Sequence, residues 1–175
     1  MSLSRRRLLG AAGASVALAG CGYHPLYGER TAGNAPVTDE LASIQIQAIP
    51  DRIGQQMYTM LRERLNPYGK PDEPKYVLSI TLTEKRTNYF FEKDETATRA
   101  NLMLRADYVL KRAGSDEVVT KGLSRSVSSY DILASQFASV VSEEDARVRS
   151  AEAICDDIRT RLALALGKGS SSAGS

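Results

Sequence analysis

The chain has 175 residues, with 23 Lys and Arg against 21 Asp and Glu, one histidine, two cysteines and no tryptophan. Three of the arginines fall in residues 1–20, which hold no acid, so the rest of the chain sets 20 bases against 21 acids and its balance gives no argument for nucleic acid as a partner. His24 is the lone histidine and Cys155 the lone cysteine beyond Cys21, which argues against Ser-His-Asp or Cys-His catalysis, a disulfide framework and a metal site. No cofactor and no enzymatic activity are expected.

Residues 1–20 read as a signal peptide. Arg5, Arg6 and Arg7 precede the uncharged run Leu8–Ala19, which is shorter than the ~20 apolar residues a bilayer span needs and suits a signal-peptide core. Leu18-Ala19-Gly20-Cys21 then places a thiol where the new N-terminus would be, the lipobox pattern. Thioether formation needs the nucleophilic thiolate that only cysteine supplies near neutral pH; the bland alternative for Cys21 is a buried structural cysteine at a helix end. Lipidation implies a covalent diacylglycerol and an N-acyl chain on Cys21, and two or more chains hold a protein on its membrane. Ser4-Arg5-Arg6-Arg7-Leu8-Leu9 also resembles a twin-arginine signal, which leaves the general secretory and twin-arginine routes both open. Gly22, in place of an aspartate after the cysteine, favours passage to the outer membrane. The expected layout is a signal peptide over 1–20, a lipid-anchored tether over 21–36, one domain over 37–166 and a disordered Gly/Ser tail over 167–175.

After the tether, Ile44-Gln-Ile-Gln-Ala48 alternates as a first strand. Asp51 is placed to cap a helix whose stripe is Ile53, Met57, Met60, Leu61 and Leu65, ended by Asn66-Pro67. Tyr76–Lys85 predicts a second strand with Tyr76, Leu78, Ile80 and Leu82 on one side, and Ala100–Lys111 a third with Ala100, Leu102, Leu104, Ala106, Tyr108 and Leu110. Ala113–Asp116 makes a turn. Val118–Val127 returns as a fourth strand on which Val119, Lys121, Leu123, Arg125 and Val127 share a side, the mixture expected of a charged edge. Ser142 and Asp145 resemble a capping box for a last helix over Glu143–Leu166, with stripe Val148, Ala151, Cys155, Ile158, Leu162 and Leu166, and residues 131–141 could extend its start. Cys155 is expected to be a small core residue.

The order β-α-β-β-β-α predicts an α+β two-layer sandwich, a four-stranded mixed sheet with two helices on one face. The other face would carry Gln45, Gln47, Ser79, Thr81, Thr83, Asn101, Arg105 and Asp107. Such a face is either simply solvated or lines a wet binding surface. Between strands two and three, Tyr89-Phe90-Phe91 sits amid Lys85, Arg86 and Lys93. Neighbouring side chains on an extended chain point opposite ways, so this is either a protruding hairpin with an exposed aromatic or a fold-back that buries them.

Cys21-Gly-Tyr-His-Pro-Leu-Tyr-Gly28 is similar to the Cys-Gly-aromatic-x-Leu start of the LPS-assembly lipoprotein family LptE (also RlpB), and the layout of elements resembles that family over nearly the whole mature chain. The resemblance implies a non-enzymatic outer-membrane lipoprotein, lipid-anchored on the periplasmic side, that plugs and helps assemble the β-barrel protein LptD and contributes to lipopolysaccharide delivery to the outer leaflet. It also implies lipopolysaccharide binding through basic residues, for which Lys85, Arg86, Lys93, Arg99 and Arg105 are the candidates. Ala134–Val141 holds no base, so a basic contribution is not expected there. The competing class is a periplasm-facing lipoprotein that binds another ligand or scaffolds an envelope complex.

Overall fold

A computed structural model describes residues 37–90, 97–133 and 135–172. The signal peptide, Cys21, the tether, Phe91 and Lys93 lie outside these residues. Three helices and four strands follow in the order α1 (Val37–Ala42), β1 (Ile44–Ile46), α2 (Arg52–Leu65), β2 (Tyr76–Phe90), β3 (Ala97–Arg112), β4 (Val118–Asp131) and α3 (Gln136–Ser172). The sheet runs β1-β2-β3-β4, with β1 parallel to β2 and the other pairs antiparallel. This is the expected α+β sandwich with a mixed four-stranded sheet, plus a short leading helix.

One apolar face drives the assembly. Ile44, Leu78, Leu104, Leu110, Met57, Leu61, Leu65, Ile154, Cys155, Ile158 and Leu162 are fully buried together between sheet and helices. A buried leucine or isoleucine contributes roughly 1.5–3 kcal/mol, which is why the alternation on β2 and β3 settles which side the helices cover. On α3 the stripe differs slightly from its expected form, since Ile154 belongs to the core and Val148 is only half-buried.

α3 packs on β4 through small residues. The covered side of β4 presents Gly122, Ser124, Ser126 and Ser128, in register with Tyr108, Ala106, Leu104 and Leu102. Ser124 Oγ donates to Asp157 Oδ2 at 2.6 Å and Ser150 Oγ to Ser128 Oγ at 2.8 Å, so the buried hydroxyls are satisfied. A Cβ on Gly122 would lie 2.5 Å from the Tyr108 hydroxyl, so any larger residue there would have to displace that ring.

The elements depart from expectation mainly at their ends. α3 begins at Gln136 and runs through Gly167 to Ser172, about 55 Å of helix. Ser142 and Asp145 are therefore interior to it and form no capping box; Ser135 Oγ accepts from the Ala138 amide at 3.4 Å instead. Asp51 does precede α2, but its side chain makes no cap bond and its φ is 69°, a conformation that costs on the order of 1–3 kcal/mol in a residue other than glycine. Its carbonyl accepts from the Gln55 amide at 3.0 Å. β1 is shorter than expected, and Asn66 Nδ2 donates to the Ala42 and Ile44 carbonyls at 2.8 and 3.1 Å along it. β2 and β3 are longer, because pairing continues to Phe90 and Ala97. Tyr89 is 42% exposed on this extended end, in line with the protruding-hairpin alternative for that residue.

Near the hairpin end the helical layer is held by charge. A small cluster of Ala100, Leu102, Tyr130 and Ala146, with half-buried Ile132 against it, supplies apolar packing there. Around it Arg147 forks onto Glu84 (2.9 and 3.0 Å) and pairs with Glu143 and Glu144, while Tyr130 Oη donates to Glu143 at 3.0 Å. The hydrogen bond to Glu84, outweighing the cost of burial, raises the Arg147 pKa further above its already high ordinary value.

Candidate functional site

The open face of the sheet is the surface no helix covers. Between the register shifts near the strand ends, odd-numbered positions of β2, β3 and β4 point to it, since their even-numbered neighbours on β3, Ala100 to Leu110, are buried; beyond the shift at Leu110, Val119 packs on the core. Register then aligns rows across the strands. Thr81, Asp107 and Leu123 form one row, Thr83, Arg105 and Arg125 the next, and Lys85, Met103 and Val127 the one after. Lys111, Lys121 and Arg99 lie further out on the same face. Six cations against the carboxylates Asp107 and Asp131, with Asp116 of the adjoining turn paired to Lys111 at 2.8 Å, leave a formal excess of three positive charges.

The five candidate bases do not gather in one place. Lys85 and Arg105 share the open face, one row apart. Arg105 Nε and Nη2 donate to Asp107 at 2.8 and 2.7 Å, and that fork holds the Asp107 carboxyl below its usual range. Arg99 is also on the face but paired with Asp131 at 3.1 Å. Arg86 sits on the other face, where it pairs with Glu143 at 3.1 Å and lies 5.9 Å from the centre of the Tyr130 ring. Lys93 lies outside the described residues. The base that sequence reading missed is Arg125, directly opposite Arg105. Its strand had been read as a charged edge, and pairing the two alternations in register would have placed it. Among the described residues, Lys85, Lys121 and Arg125 have no ion-pair partner.

Other features carry no chemistry of this kind. An open recess of about 270 Å³ is lined by Asp51, Arg52, Ile53, Glu144 and Arg147, but its guanidinium groups are engaged by the carboxylates beside them. Cys155 is buried, and burial pushes its thiol pKa up to about 12, which keeps it protonated and unreactive. No helix among the described residues is long and apolar enough to cross a membrane.

Known proteins place this arrangement. The LptE family, described as lipopolysaccharide-assembly, matches residues 41–162. The chain belongs to the LptE family. That family is one of lipopolysaccharide assembly at the cell envelope, and a non-enzymatic one. Among curated proteins none matches the chain. Solved structures that share the fold include the following three. A Caulobacter crescentus CB15 lipoprotein superposes with a TM-score of 0.62 at 22% identity, over 75% of this chain and 96% of that one. A minor lipoprotein from Acinetobacter baumannii gives 0.53 at 15% identity over 69% and 88%. Lipoprotein B from Nitrosomonas europaea gives 0.51 at 13% identity over 69% and 79%.

Proposed function

We propose that this chain is an outer-membrane lipoprotein that occupies and helps assemble the LptD β-barrel, and contributes there to delivery of lipopolysaccharide to the outer leaflet. The family match over residues 41–162 carries the reading. Export would remove residues 1–20, and the diacylglycerol and N-acyl chains on Cys21 would anchor the domain through the tether 21–36 on the periplasmic side. A barrel lumen is polar, and a plug with an open face of hydroxyls and cations suits it. Leu133, Phe137, Val140 and Val141 add an exposed apolar patch at the start of α3, with Phe137 79% exposed, of the kind that protein partners cover. Lipopolysaccharide would be met chiefly by Lys85 and Arg105 on the open face. Arg86, Arg99 and Arg105 start from existing ion pairs, Lys85 has none among the described residues, and Lys93 lies outside those residues.

Affinity capture of the tagged, lipidated protein from detergent-solubilised outer membranes tests this reading. A large β-barrel recovered at one to one is the expected result. Recovery alone, or with a soluble periplasmic partner, overturns the plug and leaves the competing scaffold reading. Cys21→Ala should leave the fold intact and release the protein from the membrane fraction; equal membrane recovery of variant and wild type would sink the lipidation step.

A further inference from the structure

The outer edge of β1 is finished at one end and open at the other. Gln47 N donates to the Leu78 carbonyl at 2.9 Å, so odd positions of β1 turn their backbone groups toward β2 and even positions turn theirs outward. At Ile44 the outward carbonyl is met by Asn66 Nδ2 at 3.1 Å, a side chain standing in for a neighbouring strand. At Ile46, the next outward position, no described residue takes that place, although Ile46 is only 8% exposed. Peptide groups so sheltered are ordinarily paired. Between this edge and α2 runs a groove. A recess of about 270 Å³ lies over Ile46, Ala48 and Ile49, walled by Gln55, Tyr58 and Thr59 of α2. A narrower recess, sharing Ile46 and Tyr58 with the first, continues past Ile44 to Arg62 and Lys70. One recess is thus centred two residues further along β1 than the other, the repeat of side chains on one face of a strand. Arg62 and Lys70 have no ion-pair partner among the described residues, and no carboxylate lines either recess.

We infer that this groove takes an extended segment of a partner protein by strand addition at Ile46. An apolar side chain of the segment enters the recess over Ala48 and Ile49, and a carboxylate two residues away meets Arg62 and Lys70. Backbone pairing supplies affinity and the two recesses supply selectivity, as in other grooves formed by a strand edge and a helix. The occupant is a polypeptide because the unfilled position is a backbone donor and acceptor in strand register. It is acidic because the only charges lining the groove are positive. Asn66 sets the limit of the added strand, since it already occupies the edge at Ile44. The groove lies at the β1 edge on the α2 side, so a segment bound there leaves the open face of the sheet unobstructed.

Fluorescence anisotropy with labelled octapeptides tests the groove, using the full mature lipidated protein in neutral-detergent micelles. The probe alternates threonine and valine and carries one aspartate two residues from a leucine; its counterpart has lysine in place of the aspartate. Wild type should bind the aspartate peptide and hold the lysine peptide about fivefold more weakly, the worth of one exposed ion pair. Thr59→Trp, at an exposed position of α2, fills the apolar recess and should weaken the aspartate peptide about tenfold. Arg62→Glu should weaken the aspartate peptide about fivefold and tighten the lysine peptide by a similar factor. A gain for the opposite charge is not a result that unfolding can mimic. No binding of the aspartate peptide by wild type, equal affinity for the two peptides, or binding that Thr59→Trp does not move overturns the site. Tighter binding of a labelled peptide of residues 22–36 than of the aspartate probe would give the groove to this chain's own tether. A dimer in sedimentation that Thr59→Trp dissolves would give it to a second copy. Either result overturns the external partner.

Discussion

The covered and open faces of the sheet are made by the same strands and obey different rules. On the covered face each position answers to a neighbour, as Leu104 does to the helical layer and Gly122 to the Tyr108 ring. On the open face like charges stand side by side at Arg105 and Arg125, and half-exposed Leu123 and Val127 meet solvent. The contrast separates what holds the fold from what remains available to a partner. A residue kept where folding does not want it is a better pointer to binding than one kept where folding does.

The strongest way to break the contrast is to put a charge on the wrong side. Leu104→Asp places an unpaired carboxylate in the dry layer and should abolish folding, read as loss of cooperative unfolding by circular dichroism; Leu104→Ala should cost about 2–5 kcal/mol. A soluble, native Leu104→Asp protein would show that the register is wrong. Gly122→Ala should come next, at about 1–3 kcal/mol, because its methyl group meets the Tyr108 hydroxyl. Denaturant midpoints measure both.

Arg147→Ala sharpens the comparison from within the covered face. It leaves Glu84, Glu143 and Glu144 without their shared cation, at a cost of roughly 1–3 kcal/mol. Amide hydrogen exchange should speed up along the first turns of α3 and spare the part around Ile158. Uniform acceleration would mean that charge and apolar packing hold one indivisible unit.

Cys155 predicts a smaller, pH-dependent effect. Its folded pKa of about 12 lies above the ordinary thiol value, so only the unfolded state gains by ionising as pH rises past about 8.5. Stability should therefore fall between pH 8.5 and 12, and Cys155→Ala should flatten that alkaline limb while lowering stability at neutral pH. Thermal melts of the two proteins across this range give the answer. Leu123→Ser, on the open face, should change stability by no more than about 0.5 kcal/mol.

Alternation was enough to read the strands, the buried sides of β2 and β3 and the order of the sandwich after its short leading helix, whereas β4, whose covered side is Gly and Ser, offered no clean face. The strand lengths were less legible. Thr87, Asn88 and Tyr89 carry no apolar alternation, yet β2 extends through them because backbone pairing with β3 needs no apolar face. The start of α3 was only half legible, with residues 131–141 as an open extension, for a related reason. Phe137, Val140 and Val141 are exposed, so no buried stripe announces them, and the polar Ser142-Glu143-Glu144 run looked like a beginning. At the candidate site, Lys85 and Arg105 could be named from one strand at a time. Arg125 required pairing between strands, and the groups that claim Arg86, Tyr130 and Glu143, come from distant parts of the chain.

The small residues beneath α3 have an evolutionary consequence. On β4, Gly122 is locked in size by the Tyr108 ring and Ser124 and Ser128 are bonded to the helix above them, whereas Lys121, Leu123, Arg125 and Val127, interleaved with them, carry no such load. Stability and recognition are thus written on alternate letters of a single strand. Mutations at the odd letters can explore new cargo or a new partner wall without endangering the fold, and drift there can be fast even while the strand as a whole cannot lengthen, shorten or slip.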